Sequence, residues 1–362
     1  MFLVYYFYLM NDKLIWKSIT EKIKVWGREF GFDEIGISDI SLNQTKKSYH
    51  EWIKSGFQGE MHYLKKHQDI KFDPTQLLPK TLTVISVRLN YFPKKENTLQ
   101  ILQDKNIAYI SRYSLGRDYH KVIRAKLKKL TQKLKEEVKD IPFDSRVFTD
   151  SAPVLEVELA EKAGLGWRGK HTLLLNKENG SWFFLGEIYT TLPLAIDEKK
   201  SNHCGTCSAC IDICPTKAII APYKLDANKC ISYLTIEFKG SIPEEYRKPI
   251  GNRIYGCDDC QLVCPWNKYG KITKEKDFIT RHSLDDLSLI DSFKISEKQF
   301  KEMFNGSAIL RIGYNQWLRN IAVSLGNAPK SDKVIQVLQS RLKDTTKLVQ
   351  EHIMWAINQH QS

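Results

Sequence analysis

Apolar positions along the chain follow two periods, one near 3.6 and one near 2, which predicts mixed helices and strands. Ile19, Ile23, Trp26 and Phe30 recur at helical spacing until Gly31 breaks the run. Residues 81–90 (TLTVISVRLN) are rich in β-branched side chains and read as a strand. Ile123, Leu127, Leu130, Leu134 and Val138 form an apolar stripe on a helix whose other faces carry many lysines. A solvated face explains those lysines better than a nucleic-acid contact. Residues 146–149 predict a short strand ending at Asp150, and Pro153 suits the first turn of a helix. Leu155, Leu159 and Ala163 carry that helix to Gly164. Residues 172–176 and 182–190 read as strands joined by the turn Lys177-Glu178-Asn179-Gly180. From about Ser296 the pattern is helical, with Trp317, Ile321 and Leu325 on one stripe and Val334, Val337 and Leu338 on the next.

The 362 residues are 42% hydrophobic and 27% charged, enough for a real core and against disorder, and the length favours two or three domains. Lys and Arg number 55 against 42 Asp and Glu, and the resulting +13 suits a polyanionic partner without proving one. No apolar run approaches the ~20 residues that span a bilayer, which excludes an integral helical membrane protein. Residues 1–9 are apolar and aromatic, but no Lys or Arg precedes them and no small-residue cleavage site follows. They read as an upstream extension, with Met10 as an alternative start, and the protein is expected in the cytoplasm.

All 8 cysteines lie between Cys204 and Cys264. Clustering at short spacing is what metal ligation requires, since several thiolates must reach one centre. The first run, Cys204-x-x-Cys207-x-x-Cys210-x-x-x-Cys214-Pro215, matches the bacterial ferredoxin pattern, in which the fourth cysteine ligates the other cluster. The second is Cys257-x-x-Cys260-x-x-x-Cys264-Pro265, with Cys230 upstream. Crossing the ligands gives Cys204, Cys207, Cys210 and Cys264 for one [4Fe-4S] cluster and Cys214, Cys230, Cys257 and Cys260 for the other. A pair of all-cysteine zinc sites would also use four thiolates each, but three cysteines at successive x2 spacing with a fourth before Pro favour cubane clusters.

Other strings carry less. Gly164-x-Gly166-x-x-Gly169 matches the dinucleotide fingerprint, yet a helix leads in and an extended segment follows, the reverse of what a pyrophosphate site needs. Those glycines are expected to serve a tight turn or close approach to a ligand. Asp118-x-His120 approaches a cobalamin-ligand pattern but lacks its Gly, so Asp118 reads as a helix start and His120 as a surface residue. His203 likewise reads as a surface flank of the cysteines. Asp150 is either a cap for the following helix or a functional carboxylate held rigidly at a strand end.

The chain resembles the epoxyqueuosine reductases, cobalamin-dependent iron–sulfur enzymes of the last step of queuosine synthesis in tRNA. The resemblance rests on Phe148-Thr-Asp150-Ser-Ala-Pro153-Val-Leu-Glu156, Ala163-Gly-Leu-Gly-Trp167-Arg-Gly-Lys170-His-Thr172 and Gly180-Ser-Trp-Phe-Phe-Leu-Gly186-Glu187. It continues in Arg112-Tyr-Ser-Leu-Gly-Arg-Asp-Tyr119-His120, both cysteine runs, Ile250-Gly-Asn-Arg253-Ile-Tyr-Gly-Cys257 and Gly306-Ser-Ala-Ile-Leu-Arg-Ile-Gly313. It implies an α+β protein: a nitroreductase-like mixed α/β cobalamin-binding domain over 1–196, a ferredoxin-like domain over 197–275 and a HEAT-like helical segment over 276–362. It implies Asp150 as proton donor, and cobalamin contacts at Lys71, Ser111, Asp150, Leu174, Leu185, Ser232, Asp258 and Asp259. Relatives commonly carry Arg where Lys71 stands, and Lys lacks the bidentate fork.

The implied reaction removes an epoxide oxygen with two electrons and two protons, and an Asp holds a proton at neutral pH only if burial raises its pKa. Lys239, Arg247, Lys248 and Arg253 are expected phosphate contacts for the tRNA anticodon loop. The resemblance further implies an external electron donor such as a flavodoxin or ferredoxin, no membrane, and a monomer. A dehalogenase-like corrinoid reductase and a plain ferredoxin-type carrier remain the alternatives.

Overall fold

The structure is a computed structural model describing residues 2–92 and 98–361, with only the backbone of residues 2–12. Of the expected extension at 1–9, Met1 lies outside the described residues and the rest form the first turns of helix α1 (Phe2–Glu29).

Strands β1 (Glu34–Asp39), β2 (Thr83–Asn90), β3 (Ser145–Phe148) and β4 (Phe183–Thr190) form one four-stranded sheet in the order β1-β2-β4-β3. Every pairing in it is antiparallel. Because facing residues share a side, the row Ile37, Ile85, Ile188 points one way, against Ile23 of α1 and Ile123 and Leu127 of α2 (Tyr119–Glu137). Gly186 lets α2 close on the sheet, since a Cβ there would lie 2.7 Å from Ile123 Cγ2. The lysines of α2 point outward, as the stripe predicts, and its buried face carries Ile123, Leu127, Leu130 and Leu134. The opposite sheet face carries Val84, Phe148 and Tyr189 and packs on Leu155 and Leu159 at and within α3 (Glu156–Lys162).

The predicted hairpin of 172–176 with 182–190 is replaced by a different pairing. Leu174–Leu175 pairs instead with Trp167–Arg168, and only an isolated bridge links Asn176 to Gly180. Asn176 explains the change: its Oδ1 accepts the amides of Glu178 and Asn179 and curls the chain before a ladder can extend. Gly166 then admits Leu175, whose carbonyl oxygen would sit 2.0 Å from a Cβ at that position. Gly164 and Gly166 of the G-x-G-x-x-G string thus make room for the protein's own backbone and Gly169 for the Leu175 and His171 side chains, and the segment before them is helical while the one after is extended.

The cysteine-bearing segment joins the sheet-bearing part through a short parallel pairing of Arg253–Tyr255 with Tyr109–Ile110. Helices α4 (Tyr314–Gly326) and α5 (Lys347–Gln361) pack together behind it. One core there draws on Ile110, Ile254, Phe293, Trp317 and Ile353, residues from all three sequence segments. Arg319 is fully buried but donates to the carbonyls of Leu234, Phe238 and Gly240, while Asn320 donates to Thr235 and Ile254. Such satisfied polar ties fix the helices to the cysteine segment more specifically than apolar packing alone. Among the described residues no helix is long and apolar enough to cross a membrane.

Candidate active site

A cavity of about 500 Å³ lies where the sheet-bearing part meets the cysteine segment. Its wall includes Asp150, Ser111, Leu174, Leu185, Ser232, Asp258 and Asp259, so seven of the eight expected cobalamin contacts share one space. Lys71 lines an adjoining cavity instead, beside Glu158 and Arg168. Burial pushes the Lys71 ammonium below its ordinary pKa, against the pull of Glu156, Glu158 and Asp150.

Four thiols, Cys214, Cys230, Cys257 and Cys260, open on the same large cavity. The others, Cys204, Cys207, Cys210 and Cys264, surround a separate space of about 220 Å³. This is the division that the crossed ferredoxin pattern predicts. The thiols frame spaces and do not converge on a point: among the described residues no His, Cys, Asp or Glu group could hold a single metal ion. Four thiolates around each space fit the donor set of a four-iron cluster. Cys207 is exposed, which makes the smaller space the side nearer solvent. His171 lines both spaces, and burial pushes it down to about 4, so it stands between them neutral.

Asp150 follows β3 and has a positive φ of 54°, uncommon for any residue but glycine. Its side chain is 56% exposed through the cavity mouth while protein surrounds it on the other sides. Tyr119 donates its hydroxyl to Asp150 Oδ2, and His120 Nε2 lies 3.0 Å from the same oxygen. The surface reading of His120 is therefore overturned. Its side chain is 6% exposed, stacked on Tyr119, with Nδ1 2.7 Å from Asp118 Oδ1. Asp118 does cap α2, accepting the His120 amide, and also pairs with Arg311 at 2.9 Å. Sequence reading missed this triad because Arg311 and Asp150 reach His120 only through the fold. His203 also departs from a surface flank: it is half-buried, packed edge-on against Trp167 at the rim of the smaller space.

Charge follows from this geometry. Burial pushes Asp150 up, but hydrogen bonds from His120 and Tyr119 outweigh it and hold the carboxyl below its ordinary pKa. His120 moves the other way: burial lowers it, and Asp118 and Asp150 more than restore it. Without a bound substrate the balance of the pair therefore favours the proton on His120. Asp258 is fully enclosed, and burial pushes it up although Ser111, Tyr109 and the Arg112 amide all donate to it.

Of the expected phosphate contacts, Arg247 is buried, donating to Ile242 O and paired with Glu351 at 2.6 Å. Arg253 forms a two-pronged pair with Asp259 at 2.7 and 2.5 Å. Lys239 and Lys248 are exposed, although Lys239 also reaches Gln316 Oε1. The surface cations of this group are therefore the two lysines.

Comparison with known proteins gives a consistent result. A family model described as 4Fe-4S double cluster binding domain matches residues 203–267, and one described as epoxyqueuosine reductase QueG, DUF1730, matches residues 71–151. The epoxyqueuosine reductase of Pseudomonas aeruginosa is 50% identical over 94% of this chain and 94% of its own. That of Escherichia coli is 50% identical over 97% of this chain and 92% of its own. A solved epoxyqueuosine reductase from Bacillus subtilis, with its catalytic aspartate loop swung out of the active site, superposes with a TM-score of 0.86. It is 28% identical, covering 95% of this chain and 90% of that one. Another, solved with an epoxyqueuosine-modified tRNA-Tyr stem loop, gives 0.83 at 28% identity, covering 95% and 91%.

Proposed function

The chain belongs to the epoxyqueuosine reductase family, and we propose that it reduces epoxyqueuosine in a tRNA anticodon loop to queuosine, with Asp150 as the proton donor. The observation that carries this reading is one cavity joining Asp150 to four of the eight thiols. An epoxide becomes an alkene and water by taking up two electrons and two protons. Both supplies meet in that cavity, electrons from the cysteine side and protons from the carboxylate side.

The wall suits a large flat cofactor such as cobalamin. Leu174, Leu185 and Phe183 offer an apolar surface, and Ser111, Ser232 and Asp258 offer polar atoms for its edge. Bound there, cobalamin would supply a strong one-electron reductant or nucleophile. The protein's own part is positioning and proton supply. Asp150 lines the cavity, and His120, backed by Asp118 and bonded to Asp150 Oδ2, holds the proton that passes out through Asp150. Tyr119 keeps the carboxylate oriented between turnovers.

Cys204, Cys207, Cys210 and Cys264 would hold one cluster near solvent and Cys214, Cys230, Cys257 and Cys260 another beside the cavity, and bound there the two would supply one-electron carriers between the surface and the site. A small external carrier such as a flavodoxin or ferredoxin fits that surface. Lys239 and Lys248 are the phosphate contacts of this reading, and the enzyme acts as a cytoplasmic monomer.

The test is to reconstitute the protein anaerobically with iron, sulfide and cobalamin, add a strong reductant and tRNA carrying epoxyqueuosine, then digest and weigh the nucleosides. Loss of one oxygen from the modified base is the expected result. An unchanged base, with both clusters intact and reduced, overturns the reading in favour of another corrinoid reductase or an electron carrier.

A further inference from the structure

Behind Asp150 lie two carboxyl groups with no part in the chemistry so far. Glu156, the first residue of α3, accepts the Asp150 backbone N–H at 2.5 Å through its Oε1. Glu187, on β4 opposite Ser86 and Phe148, is fully buried, and its carboxyl interacts with that of Glu156. A central strand of a buried sheet is a costly place for an ionised carboxyl group.

Resting on the reading of Asp150 as proton donor, we propose that Glu156 is a positioning residue. Its carboxylate grips the Asp150 amide, fixes the left-handed backbone there and so aims the Asp150 carboxylate at His120 and the cavity, while Glu187 keeps a proton so that Glu156 can carry the pair's negative charge. Two observations and one general rule converge on this. The Asp150 amide sits at the one point in its loop where φ is positive, so an anchor is needed to hold it. A charge-assisted acceptor is stronger than a neutral one. And the two glutamates differ in environment, Glu187 sealed in the sheet and Glu156 half-buried at the first turn of α3.

The electrostatics agree. Burial first, then the Glu156 charge, push Glu187 well above the ordinary carboxylate range, so it is protonated at neutral pH. Burial, then Asp150, push Glu156 up to about 7. The groups facing the pair are Asp150 and His120 from the loop and α2, Lys71 from its short helix, and Tyr119 and Tyr189. As pH rises through about 7, Glu156 ionises and the grip tightens.

The experiment compares Glu156→Ala with Glu156→Gln. Alanine deletes the acceptor; glutamine keeps an acceptor oxygen but cannot titrate. The expected result for Glu156→Ala is a kcat at least tenfold lower with KM for the tRNA within twofold, plus faster amide hydrogen exchange over residues 149–155 in the cofactor-free protein. Glu156→Gln should recover most of kcat and flatten the limb of the rate profile near pH 7. An unchanged kcat in Glu156→Ala overturns the proposal, as does equal loss in both variants. Should Glu156→Ala fail to fold, the glutamine variant decides alone: a pH 7 limb that persists there overturns the grip. Asp150→Asn in the same assay separates the two ideas, because an active Asp150→Asn removes the donor reading, whereas an inactive one beside a normal Glu156→Ala removes only this inference.

Discussion

His120 Nε2 lies 3.0 Å from Asp150 Oδ2, while its other ring nitrogen lies 2.7 Å from Asp118. An imidazole between two carboxylates is held protonated, and the carboxylate that opens on the cavity becomes the exit for that proton. Replacing Asp150 by Asn should lower kcat by about 10²–10⁴, the usual range for general acid catalysis, with tRNA affinity kept. Single-turnover rates beside a tRNA binding titration check this, and equal loss of both would contradict it.

The same pair sets a pH dependence of stability. His120 is raised, so its contribution is full below the unfolded value of about 6.5 and is lost as pH rises through its folded value. Asp150 is lowered, so its contribution is present above the unfolded value of about 3.9 and is lost as pH falls through its folded value. The Tm difference between wild type and His120→Gln should be largest near pH 6 and shrink toward pH 9. Melting curves across that range, without tRNA, provide the check.

Arg253 and Lys248 should behave as opposites. Arg253→Ala breaks a nearly buried pair with Asp259 and should cost about 3–5 kcal/mol of stability while leaving the salt dependence of tRNA binding unchanged. Lys248→Ala should leave stability unchanged within about 0.5 kcal/mol and reduce the salt slope by about 0.7, the share of one single-strand phosphate contact. Denaturant unfolding paired with binding at several salt concentrations separates the two.

Single cysteine exchanges should divide the iron evenly. Cys207→Ser should remove the solvent-side cluster and Cys260→Ser the cavity-side one, each halving iron content and abolishing turnover with a protein reductant. Iron assay and low-temperature electron paramagnetic resonance of both variants read this out. Loss of all iron from either variant would mean that the two sets are not independent.

Gly166→Ala should destabilise the protein by about 1–3 kcal/mol, because the new methyl group collides with the Leu175 carbonyl. Chemical unfolding measures this directly.

Much of the molecule was legible in its residues. The cysteine spacing groups the thiols as the two cavities do, because ligand spacing is a local constraint. The stripe on α2 and the strand before Asp150 were likewise readable, since periodicity reports which face is buried. What escaped was long-range. His120 reads as exposed until Arg311 and Asp150 are folded against it. Glu187 looks like an ordinary strand residue until the sheet closes over it. Arg247 and Arg253 look like free cations until Glu351 and Asp259 meet them. The misread hairpin has another cause: a single Asn side chain competed with the ladder for backbone amides.

The short parallel ladder between Tyr109–Ile110 and Arg253–Tyr255 stitches the cysteine segment to the sheet-bearing part only two residues from Cys257. Ser111, at the end of that seam, donates to Asp258, on the other side of the same cysteine. The gap an electron must cross is consequently written into main-chain hydrogen bonds, not left to the docking of two mobile bodies. Internal transfer in this protein should therefore be insensitive to solvent viscosity, and a chain cut between its segments should lose the cluster's alignment along with its reductase activity.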